Sequence, residues 1–185
     1  MKYLKQIFLA IGLVFIISGC SMKGVEFTPN FNSINDLKDG DLKAVSVKPQ
    51  TRIGNTSISV GRGSNVMTSP YGGTFQDYLS ISLKEELQEA SLYNKNSNIE
   101  ISTRLLKNII DTGISVGTAE LSANFIIQID QKEVFNKTYE IKHEWESSFA
   151  AASAIPVTLD NYPIAIQMLI DKFLLDTDVQ NILKK

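Results

Sequence analysis

The sequence predicts an α+β domain: a mostly antiparallel sheet with two helices packed on one face. Its segments run in the order strand, helix, three strands, helix, and strands do not alternate with helices throughout. Two periods support this reading: apolar residues recur every four positions near 74–92 and every two positions near 120–129. No repeat of about 20–50 residues is visible, which argues against a solenoid.

The first strand is expected in LKAVSVKPQ, where Val45 and Val47 share a face and Pro49 ends the run, and TSISV is its expected neighbour. The next stretch, GRGSN, places Arg62 between two glycines, whose backbone N–H groups are able to face an anion. It lacks the Lys-Ser/Thr pair of a phosphate loop, and no helix follows at once. We therefore interpret GRGSN as a strand-connecting loop.

An amphipathic helix is predicted over 74–92. Thr74 is positioned to cap it, with Asp77 completing a capping box. Polar residues such as Gln76 are expected off the apolar stripe. The stripe consists of Phe75, Leu79, Leu83, Leu87 and Ala90.

Three strands are predicted next. In ELSANFIIQI, alternate residues from Leu121 to Ile129 face one way, and the residues between them, such as Asn124 and Gln128, face the other. A turn at DQKE leads into a returning strand whose apolar face carries Phe135, Tyr139, Ile141 and Trp145. The preceding run NIEISTRLLKNII is expected to place on the core side Ile99, Ile101, Leu105 and Ile109.

The last long helix is predicted near 160–175. Asp160 is its expected cap, and Pro163 is tolerated in the first turn. Thr177 and Gln180 fit the capping box of a final short helical turn. The apolar stripe of the long helix consists of Ile166, Leu169, Ile170, Phe173 and Leu174.

The N-terminus has the pattern of a bacterial export signal over residues 1–19. Two lysines precede an almost purely apolar stretch at Ile7–Ile17, which the small residues Ser18 and Gly19 follow. This stretch is about a dozen residues long, whereas a membrane-spanning helix needs roughly 20. We therefore expect the segment to be cut off rather than retained in a membrane.

Residues Ile17 to Cys20, ISGC, resemble the lipobox of bacterial lipoproteins. The resemblance implies cleavage between Gly19 and Cys20 and a diacylglycerol on the Cys20 sulfur. A buried free cysteine is the alternative, but a core is not built on a segment that is removed. Because Cys20 is the only cysteine, a disulfide within the chain is impossible.

The predicted organisation after the signal is a lipidated cysteine with a flexible tether at 20–41 and a single periplasmic α+β domain at 42–185. The tether is inferred because residues 21–41 lack a steady period and are rich in Asn, Asp, Gly and Ser. Ser21 follows the lipobox where an Asp tends to retain lipoproteins at the inner membrane of enteric bacteria. The resemblance therefore implies the outer membrane, with the domain on its periplasmic face.

The charge of the chain excludes some partners. The formal net charge is −2, and it becomes −4 without the signal, which carries two lysines and no acid. A mildly acidic protein without a basic cluster is not expected to bind nucleic acid or anionic lipid through its surface. The expected partners are the membrane, reached through the lipid anchor, and another protein of the envelope.

His143, the only histidine, lies in KHEWES. A catalytic base needs a nucleophile and an orienting carboxylate beside it, whereas strand alternation puts His143 on the face of Ile141 and Trp145, away from the neighbouring glutamates. A structural histidine at the sheet edge is therefore the favoured reading. One histidine and one lipidated cysteine also argue against a zinc site, so no catalytic residue, metal or cofactor is expected.

The stretch SSFAAASAIP at 147–156 has two readings. Its small residues permit close packing under the last helix, which is the favoured reading, or they form a surface for another protein.

The chain resembles the YajG-like group of small bacterial lipoproteins. The resemblance rests on the lipobox, the helix FQDYLSISLKEELQEASLY, the hairpin AELSANFIIQIDQKEVFNKTYEIKHEWESSF and the closing amphipathic helix. It implies an envelope lipoprotein without an established catalytic site, and it supplies no active residues.

Two classes of function follow. The first is a non-catalytic accessory protein that binds another envelope component through its sheet edge or the small-residue stretch. The second is an auxiliary lipoprotein of an envelope transport system that binds a lipid or a small apolar ligand. A filled core with an exposed apolar patch favours the first, and a continuous apolar cavity between helices and sheet favours the second. An enzyme ranks third.

Overall fold

The computed structural model describes residues 21–49 and 54–185. Two sheets and four helices in this part of the chain share one hydrophobic core. The elements are β1 (Ser21–Lys23), α1 (Phe31–Asp39), β2 (Ser46–Pro49), β3 (Ser57–Ser59), β4 (Val66–Thr68), α2 (Phe75–Glu89), β5 (Ile99–Asp111), β6 (Val116–Ile129), β7 (Lys132–Glu146), α3 (Ala151–Leu174) and α4 (Thr177–Leu183).

The larger sheet has the strand order β2-β5-β6-β7, with β5, β6 and β7 antiparallel and β2 parallel to β5. The smaller sheet has the order β1-β4-β3, with β1 parallel and β3 antiparallel to β4. The predicted α+β class is confirmed. The expected single sheet with two helices is incomplete, because both sheets are mixed and two short helices, α1 and α4, accompany α2 and α3.

The central strand β6 separates the core from the open face of the larger sheet. On the core face Phe125 is fully buried, and its ring stacks on Phe173 of α3 with 4.3 Å between centroids. On the open face Asn124 Nδ2 donates to Asn136 Oδ1 at 2.8 Å. The predicted alternation along β6 is therefore confirmed.

A β-bulge in β5 corrects one predicted core residue. Leu105 pairs with Ala123 and Lys107 with Ser122, so Leu106 is an extra residue. One extra residue reverses which face the following side chains occupy. Ile109, expected in the core, is therefore 52% exposed, and Ile110 is buried in its place.

Helix α2 begins as predicted: Thr74 Oγ1 accepts from Asp77 N, and Thr74 N donates to Asp77 Oδ2. Gln76, expected off the buried stripe, is instead buried. Its Nε2 donates to Thr103 O at 2.9 Å, and its Oε1 accepts from Leu105 N. Since β2 stops pairing at Thr103, the Gln76 amide replaces it as partner of the β5 backbone there.

Helix α3 starts earlier than predicted, at Ala151, so Asp160 does not cap it. Pro156 and Pro163 both lie inside the helix, although each lacks the N–H that would bond the carbonyl four residues before it. The favoured packing reading of 147–156 is wrong for most of this stretch: Ala154 is buried, but residues 149–153 are exposed. The short helix α4 is capped by Asp176, one residue before the predicted Thr177.

The structure also corrects the predicted tether. Residues 21–41 form β1 and α1, and Phe27, Ile34 and Leu37 are buried in the core. The sequence showed no long period here because each element is short and buries only one or two large side chains. Residues 21–41 therefore belong to the folded domain.

Candidate functional site

The predicted lipid attachment and cleavage residues, Cys20 and Gly19, lie outside the described residues. The next residue, Ser21, already pairs with Val66 of β4, and Met22 pairs with Met67. Chain position 20 is thus followed by folded strand without a spacer.

Ser21 lies at one end of the molecule, which we call the anchor-proximal end. Here the strand order brings together four segments that are far apart in sequence. They are the start of β1, the β3–β4 loop (60–65), the β5–β6 turn (112–115) and the β7–α3 link (147–150).

Arg62, in the β3–β4 loop, joins three of these segments. Its Nη1 donates to Phe149 O at 3.0 Å, its Nη2 donates to Ser148 O at 2.8 Å and to Gly113 O, and its Nε donates to Thr112 Oγ1 at 3.2 Å. The interpretation of GRGSN as a strand-connecting loop is confirmed, since it joins the antiparallel strands β3 and β4. The guanidinium is occupied by backbone carbonyls, which makes Arg62 a positioning residue rather than an anion ligand.

Large apolar side chains are exposed at the same end. The exposed fractions are 80% for Phe149, 64% for Ile114 and 50% for Val116. We call these three residues the apolar tip. Helix α3 begins beside them at the exposed Ala151, and its N-cap residue Ala150 provides no side-chain hydrogen bond. Exposed apolar clusters of this kind mark contact surfaces in many proteins.

A second cluster fastens the N-terminal segment to α2 and the loop before it. Tyr78 OH donates to Val25 O at 3.0 Å, and Tyr71 OH accepts from Phe27 N at 3.1 Å. Tyr71 OH donates in turn to Glu85 Oε2 at 2.9 Å.

The buried carboxyl of Glu86 lies at the centre of this attachment. Its Oε2 accepts from Asn30 N at 3.2 Å, while its Oε1 is buried without a partner. Ser33 Oγ and Gln167 Nε2 both donate to Asp171 Oδ1, at 2.7 and 2.8 Å. Gln167 Oε1 is also buried without a partner.

Burial raises the pKa of Glu86 from 4.5 to about 7. The hydrogen bond from Asn30 and the Gln167 side chain oppose the shift, and the nearby Asp171 carboxylate adds to it. Between these two pH values the folded protein holds a proton that the unfolded chain has lost. Stability therefore falls as the pH rises from about 4.5 to 7. The neutral carboxyl is the form that this site favours.

Glu86→Gln is expected to stabilise the domain by about 1–3 kcal/mol at pH 8 and to change it little at pH 4, because the amide is neutral at both pH values. Urea unfolding of residues 21–185 at the two pH values measures this. Glu89→Gln, at an exposed position of the same helix, is the control and should leave the difference between the two pH values unchanged. Equal effects of Glu86→Gln at both pH values would contradict the assignment.

A groove of about 450 Å³ lies between the N-terminal segment and α3. Its walls include Val25, Ile164 and Met168, which are 39%, 48% and 38% exposed. Gln167 and Asp171 also line it. We call it the α3 groove. Buried aromatic side chains fill the interior between α2, α3 and the larger sheet, namely Phe75, Tyr78, Phe125, Tyr162 and Phe173. A second groove of about 450 Å³ lies on α2 beside β2, and its lining includes Val47, Ile81 and Tyr93.

His143 lies on β7, at an edge of the larger sheet, as the sequence predicts. Its Nε2 is 2.8 Å from Asn161 Oδ1 of α3, and Asn161 Nδ2 donates to Val157 O. The His143 ring is 5.5 Å from that of Trp145. These contacts join the edge strand to α3 and bring no hydroxyl nucleophile to the ring.

In residues 21–49 and 54–185, no group of three His, Cys, Asp or Glu side chains is placed to hold a metal ion. No helix in the same ranges is long and apolar enough to span a membrane.

No family model matches the chain, and no curated protein is similar to it in sequence. The fold is similar to that of protein XCC0632 from Xanthomonas campestris, which is assigned to family model DUF330. The TM-score is 0.59 at 15% identity, over 88% of this chain and 96% of that chain. At this identity the match shows a shared fold.

Two looser matches are a protein from Caulobacter crescentus and a minor lipoprotein from Acinetobacter baumannii. The first has a TM-score of 0.48 at 15% identity, over 80% of this chain and 96% of that chain. The second has a TM-score of 0.46 at 16% identity, over 78% of this chain and 96% of that chain. None of these matches places the chain specifically in the YajG-like group, which remains a resemblance in sequence.

Sequence reasoning missed both clusters. The apolar tip depends on contacts among residues near positions 21, 62, 113 and 149, and only the small-residue stretch signalled it in advance. One feature of the sequence pointed to the Glu86 cluster: Glu86 lies directly before Leu87 of the apolar stripe, so its side chain is close to the buried face of the helix. Its partners Asn30 and Asp171 lie in segments that show no relation to it in sequence.

Proposed function

We propose that this chain is a bacterial lipoprotein that is anchored through Cys20 and acts as a non-catalytic accessory protein of the cell envelope. The lipobox carries the proposal. The strand at Ser21–Lys23 supports it, because a lipid on Cys20 is then attached next to a folded strand rather than to the end of a tether. Ser21 favours the outer membrane, by the sorting preference of enteric lipoproteins.

Cys20→Ala is expected to abolish fatty-acid labelling, because the chain has no other thiol to accept a diacylglycerol. Growth with a radioactive or alkyne-tagged fatty acid, followed by purification, measures the label. Density-gradient separation of the two membranes then tests the outer-membrane assignment. Label that persists on the variant would show that the lipobox reading is wrong.

The filled core and the exposed apolar surfaces favour an accessory role over a ligand-binding one. The α3 groove is the proposed partner surface, because three half-exposed apolar residues line it beside the polar groups of Gln167 and Asp171. The α3 groove is also compatible with the second function, binding of a lipid or a small apolar ligand, because its volume of about 450 Å³ falls within the range of small-molecule sites.

Site-specific photo-crosslinking in cells separates the two functions. A photoreactive residue at Ile164 should capture one envelope protein, whereas the same residue at Val134, which is exposed to a similar degree on β7, should not. A lipid adduct at Ile164 would favour the ligand-binding function. Equal, non-selective capture at both positions would contradict a partner site in the groove.

A further inference from the structure

The apolar tip and the lipid attachment point belong to the same end of the molecule. Ser21 pairs with Val66, the first residue of β4, and the β3–β4 loop that precedes Val66 contains Arg62. Asn65 Nδ2 donates to Arg62 O, and the Arg62 guanidinium holds Phe149 O and Gly113 O. A continuous set of short contacts thus runs from the first described residue to the tip.

The length of chain between a lipid on Cys20 and the fold is short. An extended residue spans at most about 3.6 Å, and Ser21 is already a strand residue. A diacylglycerol on Cys20 therefore keeps the start of β1 within a few residue lengths of the lipid headgroups. The rest of the anchor-proximal end must lie close to the same surface.

We propose that the apolar tip is a membrane-seating surface: Phe149, Ile114 and Val116 enter the interface of the bilayer that holds the Cys20 lipid. This inference rests on the proposed lipidation of Cys20. Lipid is the occupant that the geometry specifies, because the anchor brings the bilayer to this end whatever protein partner is bound elsewhere. Peripheral proteins that bury apolar side chains in this way reach about 5–10 Å into the headgroup and acyl boundary.

The charges of this end are compatible with such a seat. Asp111 Oδ1 accepts from Gly113 N at 2.8 Å, which turns the carboxylate back toward the turn. Glu146 pairs with Val116 at the edge strand and is exposed. With no basic cluster among these residues, attachment here depends on apolar contact rather than on attraction to anionic lipid.

The experiment uses the mature lipidated protein in vesicles of phosphatidylethanolamine and phosphatidylglycerol. Because the one native cysteine carries the lipid, an introduced cysteine is the only free thiol. Val116→Cys and Val134→Cys form a matched pair: both are exposed valines, and they lie at opposite ends of the sheet, about 40 Å apart along β7 by strand rise. Each is labelled with an environment-sensitive fluorophore.

The label at 116 should shift its emission to the blue, lose quenching by aqueous iodide and gain quenching by nitroxide lipids. The label at 134 should keep the emission of an aqueous probe. Phe149→Cys provides a second tip probe that replaces a largely exposed side chain, so the test does not depend on one variant folding.

Iodide quenching that is equal at 116 and 134 would overturn the proposal. Protection from iodide at 116 without quenching by nitroxide lipids would also overturn it, and would identify a protein or a second copy as the occupant. Intact-mass analysis of the same sample reports the acyl groups. If the mass of the acyl groups were absent, the proposed lipidation of Cys20 would be wrong. If the acyl groups were present but the apolar tip stayed in water, only the membrane-seating surface would be wrong.

Discussion

Phe125→Ala is expected to lower the free energy of unfolding by about 3–5 kcal/mol, the usual range for emptying a fully buried phenylalanine site. Phe125 is completely buried on β6, stacks on Phe173 at 4.3 Å and meets the edge of Tyr139 at 5.8 Å. A domain of this size has a total stability of about 5–15 kcal/mol. Urea unfolding followed by circular dichroism should show a large fall in the transition midpoint.

Gln128→Ala on the same strand is the control, with an expected change within about 0.5 kcal/mol. Gln128 lies on the open face, opposite Glu100 of β5 and Glu133 of β7. The ion pair near it, Lys48–Glu100, involves an exposed lysine, and surface pairs contribute little. If both substitutions proved equally damaging, the open face would have to be covered in the native protein.

A chain that begins at Lys43 is expected to lose cooperative folding, contrary to the tether predicted from the sequence. The deletion removes Phe27, Ile34 and Leu37 from the core, and each such side chain contributes about 1.5–3 kcal/mol when buried. It also removes the backbone N–H of Asn30, which donates a hydrogen bond to Glu86 Oε2. The combined loss is comparable with the whole stability of a domain.

The matched control is a chain that begins at Ser21, which keeps every one of these contacts. Thermal melts of the two proteins, followed by circular dichroism, provide the comparison. A sharp transition for the shorter chain, at a melting temperature close to that of the longer one, would show that the domain folds without the N-terminal segment.

The elements that could be predicted are those whose burial is periodic and one-sided. The stripe of α2 with its Thr74–Asp77 box and the alternation along β6 both have this character. Ile109 was misplaced because a single extra residue, Leu106, reverses the alternation without any mark in composition. The start of α3 was misplaced because Pro156 indicates a break, yet its missing N–H is tolerated in an exposed stretch of this helix.

The candidate sites were harder to predict because they are built from contacts between distant segments. Glu86 and Asn30 are separated by 56 residues, and Arg62 and Phe149 by 87. Neither pair has a local pattern that links its members. The lipobox differs because its chemistry depends on adjacent residues, so the sequence predicts it without any long-range contact; it lies outside the described residues and stays a prediction.

The attachment of the N-terminal segment also bears on the order of events during export. Ser33 bonds Asp171, 138 residues away, and Ser21 pairs with Val66. In a chain exported from its N-terminus, as proposed, the contacts of this segment are complete only after one of the last segments has emerged, and such long-range contacts form late.

Until then the N-terminal segment lacks part of its packing, and the proposed acylation and cleavage at Cys20 would act on an incomplete fold. If Cys20 is lipidated as proposed, maturation is expected to precede completion of the fold. A chain truncated before α3 should be acylated at the normal rate even though it cannot complete its core. A lower rate would show that the processing enzymes act on folded protein.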